Sequence, residues 1–160
     1  MGCGGTAALA LPRRLGQMVR MLHLAKLAVG IRDLAHLRQV QAERASINPP
    51  LRHLTRNHPR RAAEVLDGGS IYWVIGGAML LRQRVLDITA EAAADGEAVR
   101  TALVLDPLLV ALAGRACRAF QGWRYLEPAA APPDLASNAA PDAEALPPAL
   151  QRELRRLGLL

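Results

Sequence analysis

The segment Ile71-Tyr72-Trp73-Val74-Ile75 is a β-branched and aromatic run set between two glycine pairs, Gly68-Gly69 and Gly76-Gly77. Such side chains fit the pleated surface of a sheet, and glycine supplies the positive φ that a helix end or tight turn demands. The run is therefore predicted to be a strand, entered from a helix that closes at Gly68-Gly69. It leaves through a hairpin turn or bulge at Gly76-Gly77. In a strand Tyr72 and Trp73 point to opposite faces, so one of them must be exposed or covered by a loop.

The flanking segments extend the pattern. Leu22, Leu24 and Leu27 to Val29 read as a strand ending at Gly30, and Ile31 to Ala45 carries one apolar helical stripe through Ile31, Leu34, Leu37 and Val40. Asn48-Pro49-Pro50 stops that helix, since proline cannot continue it. Leu51 to Arg56 alternates as a short strand. Thr55 or Asn57 is placed to cap a second helix opening near Pro59, with Ala62, Val65 and Leu66 inward. Beyond the turn, Met79 to Ile88 forms a strand whose Arg82, Gln83 and Arg84 leave its inward face undecided. Ala90 to Glu97 reads as a small acidic loop. Further strands are predicted at Arg100–Leu105, Leu108–Leu112 and Gln121–Leu126, the first ended by Asp106-Pro107, where the carboxylate can bond a nearby amide.

These elements predict an α+β domain over 21–135, with two helices and a curled, mostly antiparallel sheet or small barrel. The order of helix, glycine pair, strand and basic strand is similar to that of PUA-like and ASCH-like RNA-binding barrels. Residues 1–20 read as a dispensable extension before a start at Met21. Residues 136–160 read as an Ala/Pro linker and an amphipathic helix at 148–159, whose Leu150, Leu154 and Leu157 could meet a protein partner. The longest apolar run, 71–81, is interrupted by glycines and falls short of the roughly 18–20 residues of a membrane span, so a cytoplasmic protein with no membrane contact is expected.

Twenty basic residues stand against 14 acidic ones, a net charge of +6 that permits an anionic partner. Lys26 is the sole lysine, so the arginines reflect a compositional habit as much as a function. Aromatic residues are more telling, because Tyr72-Trp73 and Phe120, Trp123 and Tyr125 form two tight groups. A base-stacking surface needs aromatic faces and a phosphate track needs guanidinium forks. Candidate nucleic-acid-binding residues are therefore Arg56, Arg60, Tyr72, Trp73, Arg82, Arg84, Trp123, Arg124 and Tyr125, with RNA or a nucleotide as partner. The bland alternative is that the rings complete a small core and the arginines solvate its rim.

An enzyme is the rival class, with His53, His58 and Glu64 as its candidate acid–base groups. The histidines lack metal-ligand spacing, and no motif names a cofactor, so neither is expected.

Several segments resemble one family in order along the chain. They are Met-Leu-His-Leu-Ala-Lys-Leu at 21–27, His-Leu-Thr-Arg at 53–56 and Leu-Asp-Gly-Gly-Ser-Ile-Tyr-Trp-Val-Ile at 66–75. Arg-Gln-Arg-Val-Leu at 82–86, Leu-Val-Leu-Asp-Pro at 103–107 and Phe-Gln-Gly-Trp-Arg-Tyr-Leu-Glu-Pro at 120–128 follow. The resemblance is to a bacterial, typically alphaproteobacterial, domain of unknown function family 1489. It implies no activity. Gly76-Gly77, where the family usually has Lys-Gly, and the stretch 113–117 depart from its pattern.

Overall fold

The computed structural model describes residues 20–92, 96, 98–135 and 156. The extension at 1–19 and nearly all of the tail at 136–160, with its expected helix, lie outside the described residues. Nine elements and a short 3-10 turn follow one another: β1 (His23–Leu27), α1 (Leu34–Ile47), β2 (Arg52–Thr55), α2 (Ala62–Leu66), β3 (Ser70–Ile75), β4 (Ala78–Ala92), β5 (Val99–Leu105), β6 (Val110–Ala116) and β7 (Trp123–Leu126).

Capping explains where the helices begin. The Asp33 side chain accepts from the His36 N–H at 2.8 Å, so α1 opens at Leu34 rather than at Ile31. α2 opens at Ala62, later than Pro59, and neither Thr55 nor Asn57 caps it. Thr55 stays in the ladder between β2 and β5, opposite Thr101. The Arg61 N–H instead donates to the Tyr125 hydroxyl, a partner that no local pattern could supply.

The glycine pair after α2 divides its work. Gly68 carries the positive φ, +94°. At Gly69 a Cβ would lie 2.2 Å from the Leu22 carbonyl oxygen and 2.4 Å from that of Val65, so only glycine lets the chain before β1 and the end of α2 come together. Gly76 and Gly77, both with positive φ, make the β3–β4 turn.

The seven-stranded sheet has the order β2-β5-β4-β3-β1-β7, with β6 on β4. β1 and β3 are parallel and every other pairing is antiparallel. β3 pairs with the first part of β4, as β6 does, so those two strands take opposite edges. β5 pairs with the last part of β4 and runs end to end with β6. Between them the Asp106 N–H donates to the Arg84 carbonyl oxygen at 3.0 Å. The Asp106 carboxylate accepts from the Leu108 N–H at 2.8 Å, which is the turn expected at Asp106-Pro107.

Every residue of β3 is buried, because both faces of the sheet are covered. On one face Leu22, Leu24, Ile71, Trp73, Leu81, Val85 and Leu103 pack with Leu34 and Leu37 of α1. On the other, Tyr72, Val74, Met79 and Leu126 lie under Cys117, Phe120, Ala130 and Ala131. The inward side of β4 is settled by Gln83, which is fully buried on the α1 face. Its Oε1 accepts from Trp73 Nε1 and Gln41 Nε2, both at 2.7 Å. Its Nε2 donates to Gln41 Oε1 at 2.7 Å and to the Asp106 carbonyl at 3.0 Å.

β2 lies three positions from β3 in the sheet, roughly 14 Å if the sheet were flat at about 4.8 Å per strand. Yet the rings of His53 on β2 and Trp73 on β3 are 5.3 Å apart, so β2 folds back over the α1 face. Among the described residues no pairing joins β2 to β7, and the sheet stays open.

Candidate functional site

The fold-back of β2 leaves a cavity of about 130 Å³ between it, α1 and the end of β1. Leu37, Leu51 and Leu105, all buried, form its floor. Trp73 and His53 wall it, edge to face at 84°. Lys26, Arg44 and Arg52 stand at its rim, Arg44 exposed and the other two half-buried. A second hollow of about 400 Å³, within the ~300–1,000 Å³ usual for ligand pockets, continues outward past Arg44, Arg52, His53, Asn48 and Glu91.

Charge in this cavity is poorly compensated. Arg52 meets Glu91 at 3.0 Å, but among the described residues no carboxylate pairs with Lys26 or Arg44. Lys26 Nζ donates to the Gly122 carbonyl at 3.4 Å, and its burial lowers its pKa. Burial, helped by the charges of Lys26 and Arg44, pushes the His53 pKa down to about 4. The ring is therefore neutral near pH 7. Its Nε2 is buried with no hydrogen-bond partner, the one such side-chain atom among the described residues.

The neighbouring strand extends this face. Lys26 stands opposite Trp73 on β3 and Trp123 on β7, which makes a Trp–Lys–Trp row across three strands. Trp123 and Tyr125 touch edge to face, ring centroids 5.0 Å apart. Trp123 Nε1 donates to the Asn57 carbonyl at 3.2 Å, and the Arg61 guanidinium lies 5.6 Å from the Tyr125 ring centre. Arg56 and Arg60 are exposed on the segment 56–61 that carries these contacts.

The sequence-predicted surface is thus split. Tyr72 and Trp73 are each only 4% exposed, so neither ring presents a face to solvent, β3 being covered on both sides. Tyr72 lies on the face away from α1, edge-on to His23, and burial raises its pKa. Arg82 shares that face, held by both carboxylate oxygens of Asp134 at 2.6 Å and donating to Ser70 Oγ at 3.3 Å. Arg84 follows it at strand spacing and is exposed. Arg124 covers Phe120 at 4.7 Å from the ring centre.

The proposed acid–base trio also comes apart. Glu64 is bound by Arg61 through two bonds, 2.7 and 2.5 Å, which hold its carboxyl below the usual range. His58 Nδ1 sits 3.3 Å from Thr101 Oγ1, and only His53 enters the cavity. No three metal-ligating side chains converge among the described residues. Sequence reasoning missed Lys26, Arg44 and Arg52. The available signals were a single lysine in an arginine-rich chain, and an arginine three residues after Gln41 on the inward side of α1.

A family model described as "Protein of unknown function (DUF1489)" matches residues 24–160. No curated protein and no solved structure matches the chain.

Proposed function

The chain belongs to the DUF1489 family, and we propose for it an RNA- or nucleotide-binding module that uses the α1 face of the sheet. One observation carries this reading: a cavity walled by Trp73 and His53 has Lys26 and Arg44 at its rim, with no carboxylate among the described residues to neutralise them. An apolar cavity beside uncompensated cations suits a ligand that joins a planar base to a phosphate. Trp123 and Tyr125, with Arg56 and Arg60 nearby, extend the same chemistry along β7. The PUA-like element order supports the reading only by analogy, since fold does not imply function. The enzyme alternative has less behind it, because Glu64 and His58 are engaged elsewhere.

Single-stranded RNA and mononucleotides, titrated against tryptophan fluorescence over a range of salt, test the proposal. Binding is expected to weaken linearly in log affinity against log salt, through counterion release. Replacing Lys26 and Arg44 together with alanine should flatten that slope and weaken binding about tenfold or more. Equal affinity for heparin, untouched by the double substitution, would leave only a basic surface.

A further inference from the structure

Resting on the nucleic-acid reading above, we propose that the cavity beneath α1 is a slot for a single-ring base: a pyrimidine, turned out of its stack, with its phosphate on the cationic rim. The cavity measures about 130 Å³, close to the roughly 150 Å³ of an apolar cavity that takes up one benzene ring. A purine brings a second fused ring, more than a cavity of about 130 Å³ lined by the buried Leu37, Leu51 and Leu105 would hold. That floor is core, so a base can enter but the chain cannot thread through. The slot therefore reads one nucleotide.

The polar groups are placed for the same ligand. His53 lines the cavity, its Nε2 is buried and unpartnered, and once the ring turns towards a ligand the neutral imidazole can donate or accept according to its tautomer. A pyrimidine edge carries both kinds of partner. Gln41 also lines the cavity, but its amide is locked to Gln83 in both directions, which fixes the wall rather than competing for the ligand. Outside the slot, the hollow of about 400 Å³ shared by Arg44, Arg52 and His53 has room for ribose, phosphate and a neighbouring nucleotide. A base still stacked in a helix could not reach the floor, so the ligand is single-stranded or free.

The test compares UMP and CMP with AMP and GMP, and short oligouridylate with oligoadenylate, by fluorescence titration of the full chain at fixed salt. Pyrimidine ligands should bind about tenfold tighter than purine ones. Val40 is half-buried on the cavity wall, and Val40→Phe should fill the slot and abolish the difference. If that variant fails to fold, His53→Leu keeps an apolar wall without the ring nitrogen and should cost the pyrimidines alone about tenfold. Purines binding as tightly as pyrimidines, with an affinity still dependent on Lys26 and Arg44, would overturn the slot and leave the nucleic-acid reading standing. A pyrimidine preference that survives both Val40→Phe and His53→Leu would overturn it too. Failure of every nucleotide and RNA to bind would remove both.

Discussion

The two faces of β3 carry the same kinds of residue and treat them differently. Towards α1 stand Trp73, His53 and Lys26 with Arg44. Away from it stand Tyr72, His23 and Arg82. On the far face the imidazole and the guanidinium both have partners: Arg82 is held by Asp134 and Ser70, and His23 Nδ1 accepts from the Ser70 N–H at 3.1 Å. On the α1 face, among the described residues, two cations lack a carboxylate and one imidazole nitrogen lacks any partner. An arginine beside an aromatic ring is therefore weak evidence of a site by itself. Whether those groups are already satisfied separates a structural cluster from a receptive one.

The largest effect is expected at the joint on which both faces depend. Gly69→Ala would place a methyl against two backbone oxygens that cannot both withdraw, and should cost on the order of 4 kcal/mol. Chemical denaturation measures it. A loss below about 1 kcal/mol would mean that the approach of the chain before β1 to α2 relaxes freely, so that the two faces are not rigidly joined.

Next comes the satisfied part of the α1 face. Gln83→Leu keeps the volume but strands the Trp73 Nε1–H and both ends of the Gln41 amide, and should cost about 3 kcal/mol. Gln41→Leu combined with Gln83→Leu should recover part of that loss, since fewer buried groups are then left unpaired. If the single change is neutral, the contrast between closed and open polar groups loses its force.

His53 gives the contrast a pH signature. Its pKa in the folded protein is about 4 against an ordinary value near 6.5, so the unfolded chain binds the proton first as pH falls. Stability should be full above pH 6.5 and decline between there and about pH 4, by about 2 kcal/mol after allowance for the solvent the ring still meets. His53→Phe should flatten this stretch of the stability profile. An anion bound at Lys26 and Arg44 should raise the His53 pKa, visible as a shift of its ring protons in an NMR titration. No shift with a ligand that binds would place that ligand elsewhere.

Local chemistry was legible in the sequence, and distant partnership was not. β3, the turn at Gly76-Gly77, the helix end at Gly68 and the stop at Asp106 all follow from residues within a few positions. The start of α2 did not, because its first amide is taken by Tyr125, far along the chain. The inward side of β4 was undecidable for the same reason: Gln83 reads as polar until Gln41 is known to face it. The parallel pairing of β1 with β3, across two helices and a strand, has no local signal. For the site, the two aromatic groups were visible but their faces were not. Trp73 and Tyr72 both proved buried, while Lys26, Arg44 and Arg52 come together only when β2 folds back over the sheet.

The smallest effect belongs to the far face, where Arg82→Gln tests whether that side is merely structural. The segment carrying Asp134 is also fastened by Ala113 N–H to the Pro133 carbonyl at 3.0 Å and by Leu135 N–H to the Ala111 carbonyl at 2.9 Å. Losing one half-exposed ion pair should therefore cost only about 0.5–1 kcal/mol, and less at high salt. Arg82 holds the Asp134 carboxyl below its usual pKa. The pair's contribution is thus present above the ordinary carboxylate value, near 3.9, and lost as pH falls through the lower folded one. Arg82→Gln should remove that acid limb of the stability curve and leave the decline due to His53 in place. In RNA titrations it should leave the salt slope as it was, because Arg82 lies across the sheet from Lys26 and Arg44. A slope flattened as much by Arg82→Gln as by the Lys26 and Arg44 substitutions would mean that both faces attract the same polyanion, and that a missing partner does not mark the site.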